Sequence, residues 1–147
     1  AYRAAAPAGD AFAALAALNR RRDVLATHAF ETASTRVSPC GDLLVRVRTS
    51  PVPQLSSRRQ HAFSYHVFFK NLSDANSYKL TRRHWRIRDA DGNDEVVSGA
   101  GVVGCRPLLR PGDTYTYTSS TALETYHGSL AGFFTFRRIA SPDDLEA

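Results

Sequence analysis

Two runs of this chain carry groups able to do chemistry: GAGVVG, residues 99–104, and TRRHWRIRD, residues 81–89. The first satisfies G-x-G-x-x-G, the spacing with which a strand-to-helix turn brings backbone N–H groups against a pyrophosphate. That chemistry needs a helix behind the glycines. Gly104 is succeeded instead by CRPLLRPGD, with Pro107 and Pro111 four residues apart. Two prolines so placed forbid an ordinary helix. No β-α-β unit is present downstream, and no Gly-Lys-Ser/Thr completes a P-loop. Gly99, Gly101, Gly104, Pro107, Pro111 and Gly112 therefore read as a structural loop, in which glycine permits positive φ and close backbone approach.

The second run is cationic. On a strand, Arg82, His84, Arg86 and Arg88 share one face, while Arg83, Trp85 and Ile87 share the other. Side chains in such a row stand ~7 Å apart and suit an anion, an RNA backbone or an acidic peptide. With Arg106 they make up the candidate anion- or partner-binding residues. The competing expectation is a solvated sheet face, partly neutralised by Asp89, Asp94 and Glu95, with Trp85 in the core. Other chemistry does not assemble. His28, His61, His66, His84 and His127 fall on different segments, and Cys40 and Cys105 make neither a C-x-x-C nor a disulfide framework. Ser119, Ser120 and His127 lack a nucleophile-elbow context. The expectation is no catalytic residue, no metal, no cofactor and no enzyme.

The elements that must position these residues are set by periodicity. DAFAALAALNRRRDVLATHAF, from Asp10, is the one helical passage, with Phe12, Leu15, Leu18 and Leu25 at threes and fours. Its apolar stripe is thin, which suits docking rather than a core. ASTRVSPCG reads as a linker. From Asp42 the period becomes two. DLLVRVRT, HAFSYHVFFKNLS, EVVS, TYTYTS and GSLAGFFTFRR alternate as strands, and SYKLTRRHWRIRD does so with a bulge near Thr81–Arg83. DADGND and RPGD are turns. Six or seven short strands without an intervening helix indicate an antiparallel β-sandwich or barrel. The chain thus divides into a basic extension with one helix and a linker (1–41), a β-domain (42–139) and an acidic tail (140–147).

Charge sharpens that division. The formal net charge is +5. Residues 1–60 hold nine arginines against four acids, and residues 61–147 hold ten basic and ten acidic side chains, so the excess lies wholly in the first 60 residues. Arg20, Arg21, Arg22, Arg58 and Arg59 are the candidates there for docking or RNA contact. The start, AYRAAAPAG, resembles the end of an organellar transit peptide, which favours a mitochondrial location over a plastid or cytoplasmic one. No apolar run approaches the ~20 residues of a membrane span.

Five motifs in order, FSYHVFFKNLS, RRHWRIRDADG, GAGVVGCRPLLRPG, YTYTSSTALET and GSLAGFFTFRR, resemble the ApaG domain family over residues 42–138. The resemblance implies an immunoglobulin- or fibronectin-III-like sandwich of about seven strands, in which Gly99, Gly101 and Gly104 belong to a loop of the sandwich. The family pattern departs at ETYHGSLAG, where Tyr126 and His127 replace small residues and Leu130 stands where Met is common. Eukaryotic members of the family serve as protein-recruiting modules, and phosphoanhydride binding or hydrolysis has also been ascribed to it. The resemblance therefore implies, first, a non-catalytic adaptor or scaffold held by a protein partner in a larger complex. An accessory subunit of an organellar ribonucleoprotein such as the mitochondrial ribosome is the second expectation. A protein binding or hydrolysing nucleoside polyphosphates through Arg82, Arg86 and Arg106 is the third.

Overall fold

Alternating side chains build this molecule from strands. A computed structural model describes residues 17, 18 and 32–140. Ala17 and Leu18 are helical and exposed; the rest of the expected helix, with Arg20, Arg21 and Arg22, lies outside the described residues, as does the tail after Ala140. The strands are β1 (Thr32–Val37), β2 (Leu43–Pro51), β3 (His61–Asn71), β4 (Ser77–Asp89), β5 (Asp94–Ala100), β6 (Leu108–Leu109), β7 (Thr114–Leu123) and β8 (Gly128–Ile139). Among the described residues, no helix is long and apolar enough to cross a membrane.

Two antiparallel sheets face each other. The first runs β1-β2-β3-β7; in the second, β4 is central, flanked by β8 and by β5 and β6. The period-two reading places the inner faces correctly. Val67, Phe69 and Leu80 are wholly inaccessible, and Trp85 is 3% exposed. The ring of Phe69 meets Phe134 edge-on at 4.7 Å and Phe136 at 5.4 Å, while Trp85 meets Phe134 edge-on at 5.2 Å. Each such buried side chain contributes ~1.5–3 kcal/mol through lost apolar surface, and edge-to-face pairs add to it. The expected bulge is present: the register of β4 with β8 shifts between Leu80 and Arg82. It lets Tyr78 and Leu80, then Trp85 and Ile87, all point inward.

Three expectations are corrected. The segment expected to be a linker contains β1, paired with β2 from Thr32↔Thr49 to Val37↔Leu44. There are eight strands among the described residues, because β1 and the two-residue β6 add to the six or seven expected. Gly99 lies within β5 rather than in the loop beyond it.

One buried polar residue fixes an end of the sandwich. Asn71 is fully buried. Its Nδ2 donates to the carbonyls of Asn76 (2.7 Å) and Leu109 (3.0 Å), and its Oδ1 accepts from the Ser73 N–H at 3.0 Å. The amide thereby ties β3, the turn into β4 and β6 together, and satisfying these groups avoids the cost of burying them unpaired.

Candidate functional site

The cationic run lies on the outer face of the second sheet. Register places Arg82 opposite Ala100 and Thr135, His84 opposite Ser98 and Phe133, Arg86 opposite Val96 and Ala131, and Arg88 opposite Asp94 and Ser129. Opposed residues of antiparallel strands share a face, so the row expected from sequence is real. At its centre the His84 ring stacks on Phe133, with centroids 4.8 Å apart and planes 16° from parallel. Phe133 is 61% exposed. The neighbours across the strands are small, which leaves the ring uncovered. Phe133 carries no signal in the sequence, since only the pairing of β4 with β8 brings it beside His84.

Asp94 partly neutralises the row. Arg86 reaches its Oδ2 from Nη2 at 2.5 Å and from Nε at 3.1 Å, and Arg88 reaches Oδ1 at 2.7 Å and Oδ2 at 2.8 Å. The two guanidinium groups, Arg88 first and then Arg86, hold the Asp94 carboxyl well below the usual carboxylate range. Asp89 instead accepts from Asn93, at 2.8 Å from N–H and 2.7 Å from Nδ2, which closes the β4–β5 hairpin. Glu95 lies opposite Ile87, on the other parity, and does not join the cluster. One carboxylate shared by two arginines leaves a positive surplus, and the Arg82 side chain makes no hydrogen bond or ion pair among the described residues.

The glycine motif is a backbone device. The Gly101 N–H donates to the Thr81 carbonyl at 2.9 Å, beside the bulge. Val102 and Cys105 exchange two backbone bonds, of 2.7 and 2.8 Å, around a two-residue turn. Val103 (φ 47°) and Gly104 (φ 76°) occupy the centre of that turn, both with positive φ, as a type I′ turn requires. Gly101 (φ 64°) admits no Cβ, which would overlap the Cys105 carbonyl. Arg83, to which strand parity assigns no more than an inward direction, holds the loop: its Nη1 donates to the Gly101 carbonyl at 2.9 Å and lies over Gly99. Pro107 presents its carbonyl to the Leu80 N–H at 3.0 Å, and Gly112 (φ 80°) turns the chain after Pro111. Arg106 is exposed next to Gly101. Arg58 and Arg59 stand apart from this face, on the loop before β3 beside Glu124.

A second feature lies between the sheets, where β1 and β8 form facing edges. A groove of 730 Å³ opens there. Its floor is Val45, Val47, Leu130, Phe134 and Phe136, and its mouth includes Arg36, Cys40 and Phe133. The groove-facing residues of β1 (Thr32, Ser34 and Arg36) are polar and exposed. Near the mouth the Tyr78 hydroxyl donates a short hydrogen bond to Asp42, which also accepts from Asn76 Nδ2 at 3.1 Å. The Asp42 carboxylate pushes the Tyr78 phenol up to about 12, and Tyr78 and Asn76 pull Asp42 below its usual range. The exposed Cys40 thiol is lowered by the Ser38 hydroxyl 3.2 Å away and by the Asp42 backbone. Among the described residues, no three metal-ligating side chains come together.

This architecture has known counterparts. A sequence model of the ApaG domain matches residues 52–138. Protein ApaG of Pseudomonas paraeruginosa is 46% identical over 92 residues, which span 61% of this chain and 72% of that protein. Human F-box only protein 3 is 38% identical over 114 residues, covering 74% of this chain. The matched region is only 24% of the F-box protein, so the chain spans about a quarter of that relative. The crystal structure of the ApaA protein of Bordetella pertussis superposes with a TM-score of 0.59 at 34% identity, covering 67% of this chain and 89% of that one. Sequence motifs, sandwich and glycine loop agree: the chain belongs to the ApaG domain family.

Proposed function

We propose that the chain is a non-catalytic interaction module that joins a larger assembly by holding an extended, apolar segment of a protein partner in the groove between β1 and β8. The groove carries this reading. Its floor is aliphatic and aromatic, and β1 and β8 each pair with one strand among the described residues, β2 and β4 respectively. Free strand edges offer N–H and C=O groups to an extended segment, while pockets between them take alternate side chains. The relationship to F-box only protein 3 supports the same reading, because there the matched region is one part of a longer protein.

Ser34 provides the test. It faces the groove opposite Val47 and is exposed, so Ser34→Trp fills the groove without entering the core. Capture from native extract with the intact chain, followed by mass spectrometry, identifies the partner. Affinity for that purified partner is then measured for both chains. The expected result is at least a tenfold loss for Ser34→Trp at unchanged melting temperature. Equal affinity of the two chains would refute the groove as the docking site.

A further inference from the structure

The outer face of the second sheet, which meets the mouth of the groove at Phe133, has a cationic chemistry of its own. We infer that it binds single-stranded nucleic acid, with a base stacked on Phe133 and the flanking phosphates on Arg82 and Arg86. Three observations combine. First, the stack is half built. One face of Phe133 lies against His84, and the ring is otherwise open to solvent. A base on the free face extends a two-ring stack, as sequence-tolerant binding of unpaired bases requires.

Second, the charges bracket the ring. Arg82 and Arg86 lie two residues before and two after His84 on the same strand, ~7 Å to either side of the stack. A base on the ring therefore leaves its neighbouring phosphates within reach of both guanidinium groups. Arg82 has no competing partner among the described residues, and Arg86 and Arg88 share the single carboxylate of Asp94. Arg86 can thus turn to a phosphate while Arg88 retains Asp94.

Third, the surroundings are flat. Ser98, Ala100, Ala131 and Ser129 occupy cross-strand positions beside the row, with Thr135 next to Arg82. The exposed Val96 opposite Arg86 is on β5, across β4 from Phe133, so the approach to the ring along β8 stays low. Charge alone would equally suit an acidic peptide. The exposed aromatic stack between two arginines is what favours a nucleic acid, since a peptide carboxylate gains nothing from a π-face. A duplex, with its bases already stacked, has none to offer.

The test uses fluorescence anisotropy of the full chain with a labelled ten-nucleotide single-stranded RNA of mixed sequence. A hairpin duplex and a poly-glutamate peptide serve as comparisons. Binding of the single strand is expected, with affinity falling as salt rises. Phe133→Ala should weaken it tenfold or more, as loss of one stacked base does. Arg82→Ala should reduce the slope of log affinity against log salt by ~0.7, the value for one single-strand phosphate contact. Asp94→Asn, which frees both arginines, should tighten binding. Phe133 and Arg82 are exposed, and unchanged circular dichroism of the variants would show that the fold is intact. The inference is overturned if the single strand does not bind at ~50 mM salt, where electrostatic contacts are strong. It is also overturned if binding is indifferent to Phe133→Ala and Arg82→Ala, which would place RNA elsewhere, for example on Arg20, Arg21 and Arg22. Preference for poly-glutamate over RNA would assign the face to an acidic protein instead.

Discussion

Replacing the motif glycines one at a time by alanine should produce a graded series, with Gly101→Ala the most damaging. Two costs add at Gly101. Its φ of 64° lies in the left-handed region, which costs a residue with a Cβ ~1–2 kcal/mol. That Cβ would also overlap the Cys105 carbonyl, a backbone atom fixed by the paired bonds between Val102 and Cys105. Moving the carbonyl away weakens two hydrogen bonds, each with a net value of ~1 kcal/mol. Gly101→Ala should therefore lose ~3–4 kcal/mol. Gly104 shares the positive φ but has open space around it, so alanine there should lose only ~1 kcal/mol. At Gly99 the new Cβ would stand 3.6 Å from the Arg83 guanidinium, an ordinary contact, and the loss should stay within ~0.5 kcal/mol. Urea titration followed by fluorescence reads this directly, because the chain has a single tryptophan and Trp85 is buried. Equal losses at all three positions, or a largest loss at Gly99, would refute a structural account of the motif.

Two other outcomes rest on the same geometry. Val103 is β-branched and exposed at φ 47°, so Val103→Asn, which suits a type I′ turn, should raise stability by ~1 kcal/mol in the same titration. The Asp42–Tyr78 bond should make stability depend on pH at both ends. Tyr78 is raised from 10 to about 12 in the folded chain, so its contribution is complete below pH 10 and is lost as pH rises through 12. Asp42 is lowered from 3.8, so its contribution is present above that value and lost as pH falls below it. Tyr78→Phe should flatten both limbs of a plot of urea midpoint against pH; limbs unchanged in the variant would show that the bond plays no part.

Burial decides how much of the fold is legible in the sequence. Phe63, Tyr65, Val67 and Phe69 alternate because one face of β3 meets the core, and the bulge near Thr81 is visible as a change of parity between Leu80 and Trp85. β1 is hidden for the converse reason. It is an edge strand whose six side chains are all exposed, so no alternation is imposed on TASTRV. The row of Arg82, His84, Arg86 and Arg88 is legible because it is local to one strand. Its partner Phe133 is not, being brought there by a register between residues almost fifty positions apart. The prolines behind the glycine motif mark it as a loop, yet Gly99 belongs to a strand. The loop's anchor, Arg83, is hidden among four arginines of equal appearance.

The closure of Trp85 by β8 has a consequence for how the domain can arise during synthesis. Gly132 lies opposite Trp85, and a Cβ there would strike both the indole ring and the His84 carbonyl; β8 thus approaches as closely as its backbone permits. It is also the last strand among the described residues, and it covers one whole edge of β4. A nascent chain that has emerged only as far as β7 therefore displays an open strand and an uncovered tryptophan. Such non-local pairing is slow, and the exposed edge is prone to wrong partners. The edge of β4 can then be closed only after Ile139 has left the ribosomal tunnel, and a chaperone that shields Trp85 and the β8-side edge of β4 until then would be guarding surfaces that the finished fold covers.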